Sequence, residues 1–144
     1  MNPLAAHRRR VLDSTVSFDN APDYDEIVRV VQLYVDGFQG GIDKLKEAFH
    51  EDAWIFAIDA DGSLGKGLVS DRFERWSTSH RPIKGRFISL TQAGDIASVL
   101  LGFDNTEDLS DSWVDVIALM KIDGAWKITN KTAAHSSRAA WARP

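Results

Sequence analysis

Two runs of alternating apolar residues, Trp113 to Ile122 and Ala125 to Ala134, are separated by only Asp123-Gly124. Asp-Gly at that position suits a tight turn whose two central residues take positive φ, and such a turn makes the flanking runs an antiparallel hairpin. The same period-two pattern runs through Ile83 to Thr91 and Ile96 to Phe103, which meet at Ala93-Gly94-Asp95. An acidic loop from Asp104 to Asp111 leads on into Trp113. Four consecutive strands on short connections form an antiparallel meander, because a parallel pair requires a crossover of a dozen residues or more. Doubly wound and barrel architectures built on parallel strands are thereby excluded.

The first half of the chain has a different period. From Asp23 to Phe38, the apolar residues Tyr24, Ile27, Val28, Val31, Tyr34, Val35 and Phe38 recur three or four apart, which predicts a helix with one broad apolar stripe. Gly37, Gly40 and Gly41 end it, and a short second helix carries Ile42, Leu45 and Phe49 on one side. Ala53 to Ile58 reads as a strand with Trp54, Phe56 and Ile58 on one face and Ala53, Ile55 and Ala57 on the other. A third helix is expected over about Lys66 to Ser77, presenting Val69, Phe73 and Trp76. Helices grouped ahead of a meander must cover one face of it, so the fold class is α+β with a concave space between the layers. Trp54, Phe56, Phe73, Trp76, Phe87 and Trp113 are the candidates to line that space and bind a ligand.

At 144 residues the chain has room for one domain. The division expected is a basic arm over 1–21 that contains Arg8, Arg9 and Arg10, a domain over 22–135, and a tail over 136–144. No apolar run approaches the ~20 residues that a bilayer-spanning helix needs, so no membrane association is expected. No apolar segment follows the three arginines, which argues against a secretory signal and makes a cytoplasmic location the default. The absence of cysteine excludes disulfides, thiolate metal sites and a Cys nucleophile. A net charge of −4 disfavours nucleic acid as a partner. The four histidines lack ligand spacing and the acidic loop lacks the register of a calcium loop, so no metal is expected. Gly65-Lys66-Gly67 completes no nucleotide-binding motif, so no cofactor is expected either.

Asp115 is the sharpest candidate for chemistry. Alternation puts it on one strand face with Trp113, Ile117 and Leu119, an ionisable group in an apolar stripe. Desolvation there raises a carboxyl pKa, which suits a general acid or base. The alternative is a structural pair with Lys131 or Lys127 across the hairpin. Strict alternation points Lys131 away from Trp126, as a solvated or interface lysine, unless a bulge alters the register. Asn130 shares the face of Trp126 and Ile128, where it can bond a ligand carbonyl or the backbone. His135 follows the last strand, at a pocket rim suited to proton transfer or simply in water. His50 reads as a helix-terminal residue and His80 as part of a loop.

The stretch Phe49-His50-Glu51-Asp52-Ala53 after two helices resembles the nuclear-transport-factor-2-like (NTF2-like, or SnoaL-like) superfamily. The closing hairpin, with Asp115 mid-strand, Leu119-Met120-Lys121, Gly124-Ala125-Trp126-Lys127-Ile128 and Asn130-Lys131, resembles that superfamily's lumazine-binding subgroup. The resemblance spans residues 22–135. It implies a cone-shaped, strongly curved antiparallel sheet wrapped around N-terminal helices, a pocket at the wide end, and a homodimer through the sheet's outer face. It also implies a range of functions, from isomerases, dehydratases and cyclases to non-catalytic binders. The expectation is therefore a small-molecule pocket protein: a cofactor-independent acid/base enzyme for a cyclic, aromatic or polyketide-like substrate, with Asp115, Asn130 and His135 as catalytic residues. The alternatives are a non-catalytic binder of a heteroaromatic or apolar ligand, or an interaction module that dimerises through its sheet.

Overall fold

The computed structural model describes residues 23–59 and 61–134. The basic arm, the tail and His135 lie outside the described residues. Helix α1 spans Asp23–Asp36 and α2 spans Ile42–Ala48. Strand β1 (Phe49–Ile58) turns into β2 (Leu64–Leu68), followed by a 3-10 turn at Val69–Arg72 and helix α3 (Phe73–Thr78). The meander is β3 (Ile83–Ala93), β4 (Ile96–Asn105), β5 (Trp113–Ile122) and β6 (Ala125–Ala134). No described helix is long and apolar enough to cross a membrane.

The apolar stripe of α1 explains its seat on the sheet. Ile27, Val30, Val31, Tyr34 and Val35 are buried, at the i, i+3, i+4, i+7, i+8 spacing of one helix face. Val28 turns outward instead and Val30 takes its place in the core. The N-terminus of α1 is tied to the sheet by Asp23, whose carboxylate accepts hydrogen bonds from Gln92 Nε2 at 2.9 Å and Lys121 Nζ at 3.2 Å. Asp123 and Gly124 both have positive φ (51° and 81°), as the hairpin turn between β5 and β6 requires.

All six strands form one open, curved sheet in the order β2-β1-β6-β5-β4-β3. It is mixed, which corrects the expectation of a wholly antiparallel sheet: β1 pairs parallel with β6, with Trp54 opposite Asn130 and Phe56 opposite Thr132. Short turns oblige the meander to be antiparallel, and it is. No turn joins β1 to β6, so their relative direction is free of that constraint. The expected helix from Lys66 is also corrected: Lys66 lies within β2, paired opposite Phe56. Glycines on both sides of Lys66 disfavour helix there, and helical backbone begins only at Val69. Register irregularities interrupt β3 between Phe87 and Ser89, and the β5–β6 pair between Ala118 and Leu119. Bulges of this kind bend a sheet around what it covers.

An aromatic cluster fills the space between helices and sheet. Tyr34 lies within 4.8–5.7 Å of the Phe38, Phe49, Trp76 and Phe103 rings. Ring contacts add about 0.5–1.5 kcal/mol each beyond area burial.

Candidate functional site

Alternation along β5 aims Trp113, Asp115, Ile117 and Leu119 inward, and Asp115 is fully buried. Strand β6 starts in phase, with Trp126 and Ile128 inward. Its phase then changes, because Leu119 faces Ile128 whereas Ala118 faces Asn130, leaving Thr129 as an inserted residue. Beyond that bulge Lys131 takes the inward position, 3% exposed, and Asn130 turns outward. The solvated-lysine reading is thus corrected by the register change that alternation alone does not reveal.

Lys131 Nζ lies 3.1 Å from Asp115 Oδ2 and donates a 2.5 Å hydrogen bond to Tyr34 Oη. Tyr34 in turn donates to Asp115 Oδ2 at 2.8 Å. The ammonium also sits 4.7 Å from the centre of the Trp76 ring and 5.2 Å from that of Tyr34. Burial pushes the Asp115 carboxyl up from its ordinary value, against the Lys131 charge and the Tyr34 hydrogen bond, which draw it down. Burial likewise pushes the Lys131 amine down, opposed by Asp115 and reinforced by the nearby charge of Arg72. The Tyr34 phenol is driven well up, first by burial and then by the Asp115 charge, so it stays protonated as a donor. Both members of the pair are therefore pressed toward their neutral forms, which eases proton movement between and beyond them. Asp115 Oδ1 is buried with no hydrogen-bond partner.

Above this cluster opens a cavity of about 470 Å³. Lys131, Ala133 and Ala134 of β6 form one wall with Ile55 of β1, and Phe38 and Trp113 form another. Arg72 of the 3-10 turn and Arg75 and Trp76 of α3 also line it, as do Arg81 and Asp111. Phe38 stacks on Trp76 at 5.6 Å, and Trp113 stacks on Phe103 at 4.8 Å and 6°. Lys131 is the member of the buried cluster that reaches the cavity; Asp115 and Tyr34 lie behind it and do not form the wall.

Of the residues expected to line a pocket, Trp76 and Trp113 do so. Phe73 is buried in the core beside Phe49 and Trp76, at 5.7 and 6.4 Å. Phe87 is partly buried against the core opposite Leu101. Trp54 and Phe56 project from the outer face, 45% and 36% exposed, because β1 turns Ala53 and Ile55 inward. Both faces of β1 are apolar, and its pattern carries no sign of which one is covered. Asn130 is also on the outer side, donating to the Trp54 carbonyl at 3.1 Å. His50, Glu51 and Asp52 bring ligand-type atoms within 4.8 Å of one another, but His50 Nδ1 already accepts the Asp52 backbone N–H at 3.1 Å.

Sequence reasoning missed Tyr34, Arg72, Arg75 and Arg81. Tyr34 was visible as the one hydroxyl deep in the α1 stripe. Arg72 and Trp76 are four residues apart, a spacing that shares a helix face.

The family described as putative lumazine-binding matches residues 22–133. Aldolase FrzH of a Cladobotryum species is 28% identical over 112 residues, 76% of this chain and 88% of that protein. Among solved structures, an NTF2-like protein of Shewanella baltica shares 24% identity with a TM-score of 0.69, covering 77% of this chain and 91% of the other. An NTF2-like protein of Methylobacillus flagellatus shares 26% with a TM-score of 0.68, covering 80% and 93%.

Proposed function

We infer function from the premise that this chain belongs to the family described as putative lumazine-binding, within the NTF2-like (SnoaL-like) superfamily. Its cavity is the active site of an enzyme that transforms a small carbonyl compound by acid–base catalysis, using its own side chains. The observation that carries this reading is a buried lysine, ion-paired at 3.1 Å and hydrogen-bonded to a tyrosine, facing a 470 Å³ cavity. A buried ionisable pair often adds no net stability, so stability alone does not account for it, and perturbed groups in clefts are candidates for function.

In the mechanism, Lys131 is the group that meets the substrate, and Asp115 and Tyr34 set its proton affinity. The neutral amine takes a proton from the carbon beside the substrate carbonyl. The C–H electron pair becomes an enolate, and Asp115 stabilises the ammonium formed. Return of that proton to another carbon is isomerisation. Attack of the enolate carbon on a second carbonyl is aldol addition or cyclisation, with the ammonium protonating the new alkoxide. The name of the aldolase relative supports carbonyl chemistry, since aldol reactions proceed through such a carbon nucleophile. The aromatic walls of Phe38, Trp76 and Trp113 favour a flat or cyclic substrate. The same walls support a second reading, retention of a flat ring without turnover.

The test is proton exchange at the α-carbons of dihydroxyacetone and cyclohexanone in deuterium oxide, followed by NMR. The wild type should exceed Lys131→Met at least about tenfold, a modest share of the 10²–10⁴ typical of a positioned base. Equal rates in the two proteins refute the assignment. We also propose a homodimer through the outer sheet face, supported by the exposure there of Trp54, Phe56, Ile58 and Val116.

A further inference from the structure

The described residues include five arginines, and three of them hold carboxylates: Arg29 pairs with Glu26 and Glu47, Arg81 with Asp111 and Arg86 with Asp104. Arg72 and Arg75 have no carboxylate within 4.0 Å among the described residues, and both face the cavity. Arg72 Nε is buried and has no hydrogen-bond partner. A guanidinium donor withdrawn from water and left unbonded is costly, so its retention calls for a reason.

Open space adjoins the Nη2 end of the same guanidinium, on the cavity side. Gly67 pairs with Ile55, a cavity residue, so a side chain at position 67 would enter the same space. A Cβ built there meets Arg72 Nη2 at 4.0 Å and nothing nearer. The two carboxylates of the cavity do not fill the role. Asp111 is engaged by Arg81 at 3.4 Å and by Asn105 Nδ2 at 3.0 Å. Asp59 is turned toward Gly65, 2.9 Å from where a Cβ of that residue would stand. Arg72 also lies close enough to Lys131 for its charge to weaken the amine's hold on a proton.

We propose that Arg72 and Arg75 form a subsite for an oxyanion, so that the substrate is a carbonyl compound carrying a carboxylate or phosphate group. A guanidinium presents paired donors at the spacing of two oxyanion oxygens, and charge-assisted bonds of this kind are about twice as strong as neutral ones. The carbonyl half of this statement rests on the function proposed for Lys131; the oxyanion half rests on the arginines alone.

Calorimetric titration of the full chain with benzoate, phenyl phosphate and benzamide tests it, benzamide being the neutral match for benzoate. At least one anion should bind about tenfold tighter than benzamide, and the stronger of the two identifies the group. Arg72→Gln should remove most of that preference. Arg75→Gln, at an exposed position, should weaken it without disturbing packing. Equal binding of benzamide and both anions, no binding of either anion at millimolar concentration, or an unchanged preference in both glutamine variants overturns the proposal. Lys131→Met should lose proton exchange and keep the anion preference, so failure of the catalytic reading and of this one give different results.

Discussion

Removing one partner of the Lys131–Asp115 pair should destabilise the protein in a pH-dependent way whose sign depends on which partner is lost. Asp115 is fully buried, its Oδ1 is unpartnered, and without Lys131 its remaining support is the Tyr34 hydroxyl at 2.8 Å. Breaking a buried pair typically costs about 3–5 kcal/mol, against a total stability of about 5–15 kcal/mol for a domain. In Lys131→Met the lone carboxyl keeps its proton in the folded state above the unfolded value of 3.8. The folded state then binds more protons than the unfolded one, so stability is fullest below that value. It falls by about 1.4 kcal/mol per pH unit up to the folded pKa. Asp115→Asn has the opposite slope. Its lone amine, already lowered from 10.5 in the wild type, loses its proton in the folded state first, so stability rises with pH toward that value. The double variant removes both charges and should recover most of the loss, because apolar or neutral replacements of buried pairs are often neutral or better. Urea unfolding of the four proteins at about pH 6 and about pH 8 measures this. The expected coupling between the two sites is at least about 2 kcal/mol. Additive losses, or single variants whose stabilities change with pH in parallel, refute the reasoning.

Three further outcomes follow from the structure. Tyr34→Phe removes the hydroxyl that bonds both Lys131 and Asp115, and should cost about 1–3 kcal/mol in urea unfolding while leaving the far-ultraviolet backbone signature intact. Gly37→Ala should destabilise by about 1–3 kcal/mol, since a Cβ there would stand 2.3 Å from Leu45 Cδ2. An unchanged thermal midpoint counts against the packing described between α1 and α2. Trp54→Ser with Phe56→Ser should convert a dimer to a monomer in sedimentation, because both side chains are on the exposed outer face and contribute little to the core. An unchanged sedimenting mass places the contact elsewhere.

Some of the site was legible before any coordinates. Asp115 shares an alternating face with Trp113, Ile117 and Leu119, and a period of two is local, so its inward direction follows once that face is known to be the apolar one. The Asp123-Gly124 turn set the hairpin that carries it. The stripe on α1 placed Tyr34 inside, although it did not say what the hydroxyl meets. Trp76 and Trp113, candidates to line the concave space, stand on the cavity wall.

What the tertiary structure decided is of another kind. Lys131 enters the core and Asn130 leaves it because one inserted residue, Thr129, shifts the phase of β6. Nothing in the local pattern of Ile128-Thr129-Asn130-Lys131 marks that insertion. Trp54 and Phe56 point outward because β1 has two apolar faces, and packing chose Ala53 and Ile55 for the inner one. The parallel β1–β6 pairing and the approach of Arg72 to Lys131 join segments far apart in the chain, and the strand at Leu64–Leu68 is fixed by its pairing with β1. Periodicity records which side of an element is apolar, and so the amino-acid order determined α1, the meander strands and the buried acid. Register, bulges and non-local pairing depend on energies summed across strands, and only the assembled sheet brings the lysine, the tyrosine and the arginines to one cavity.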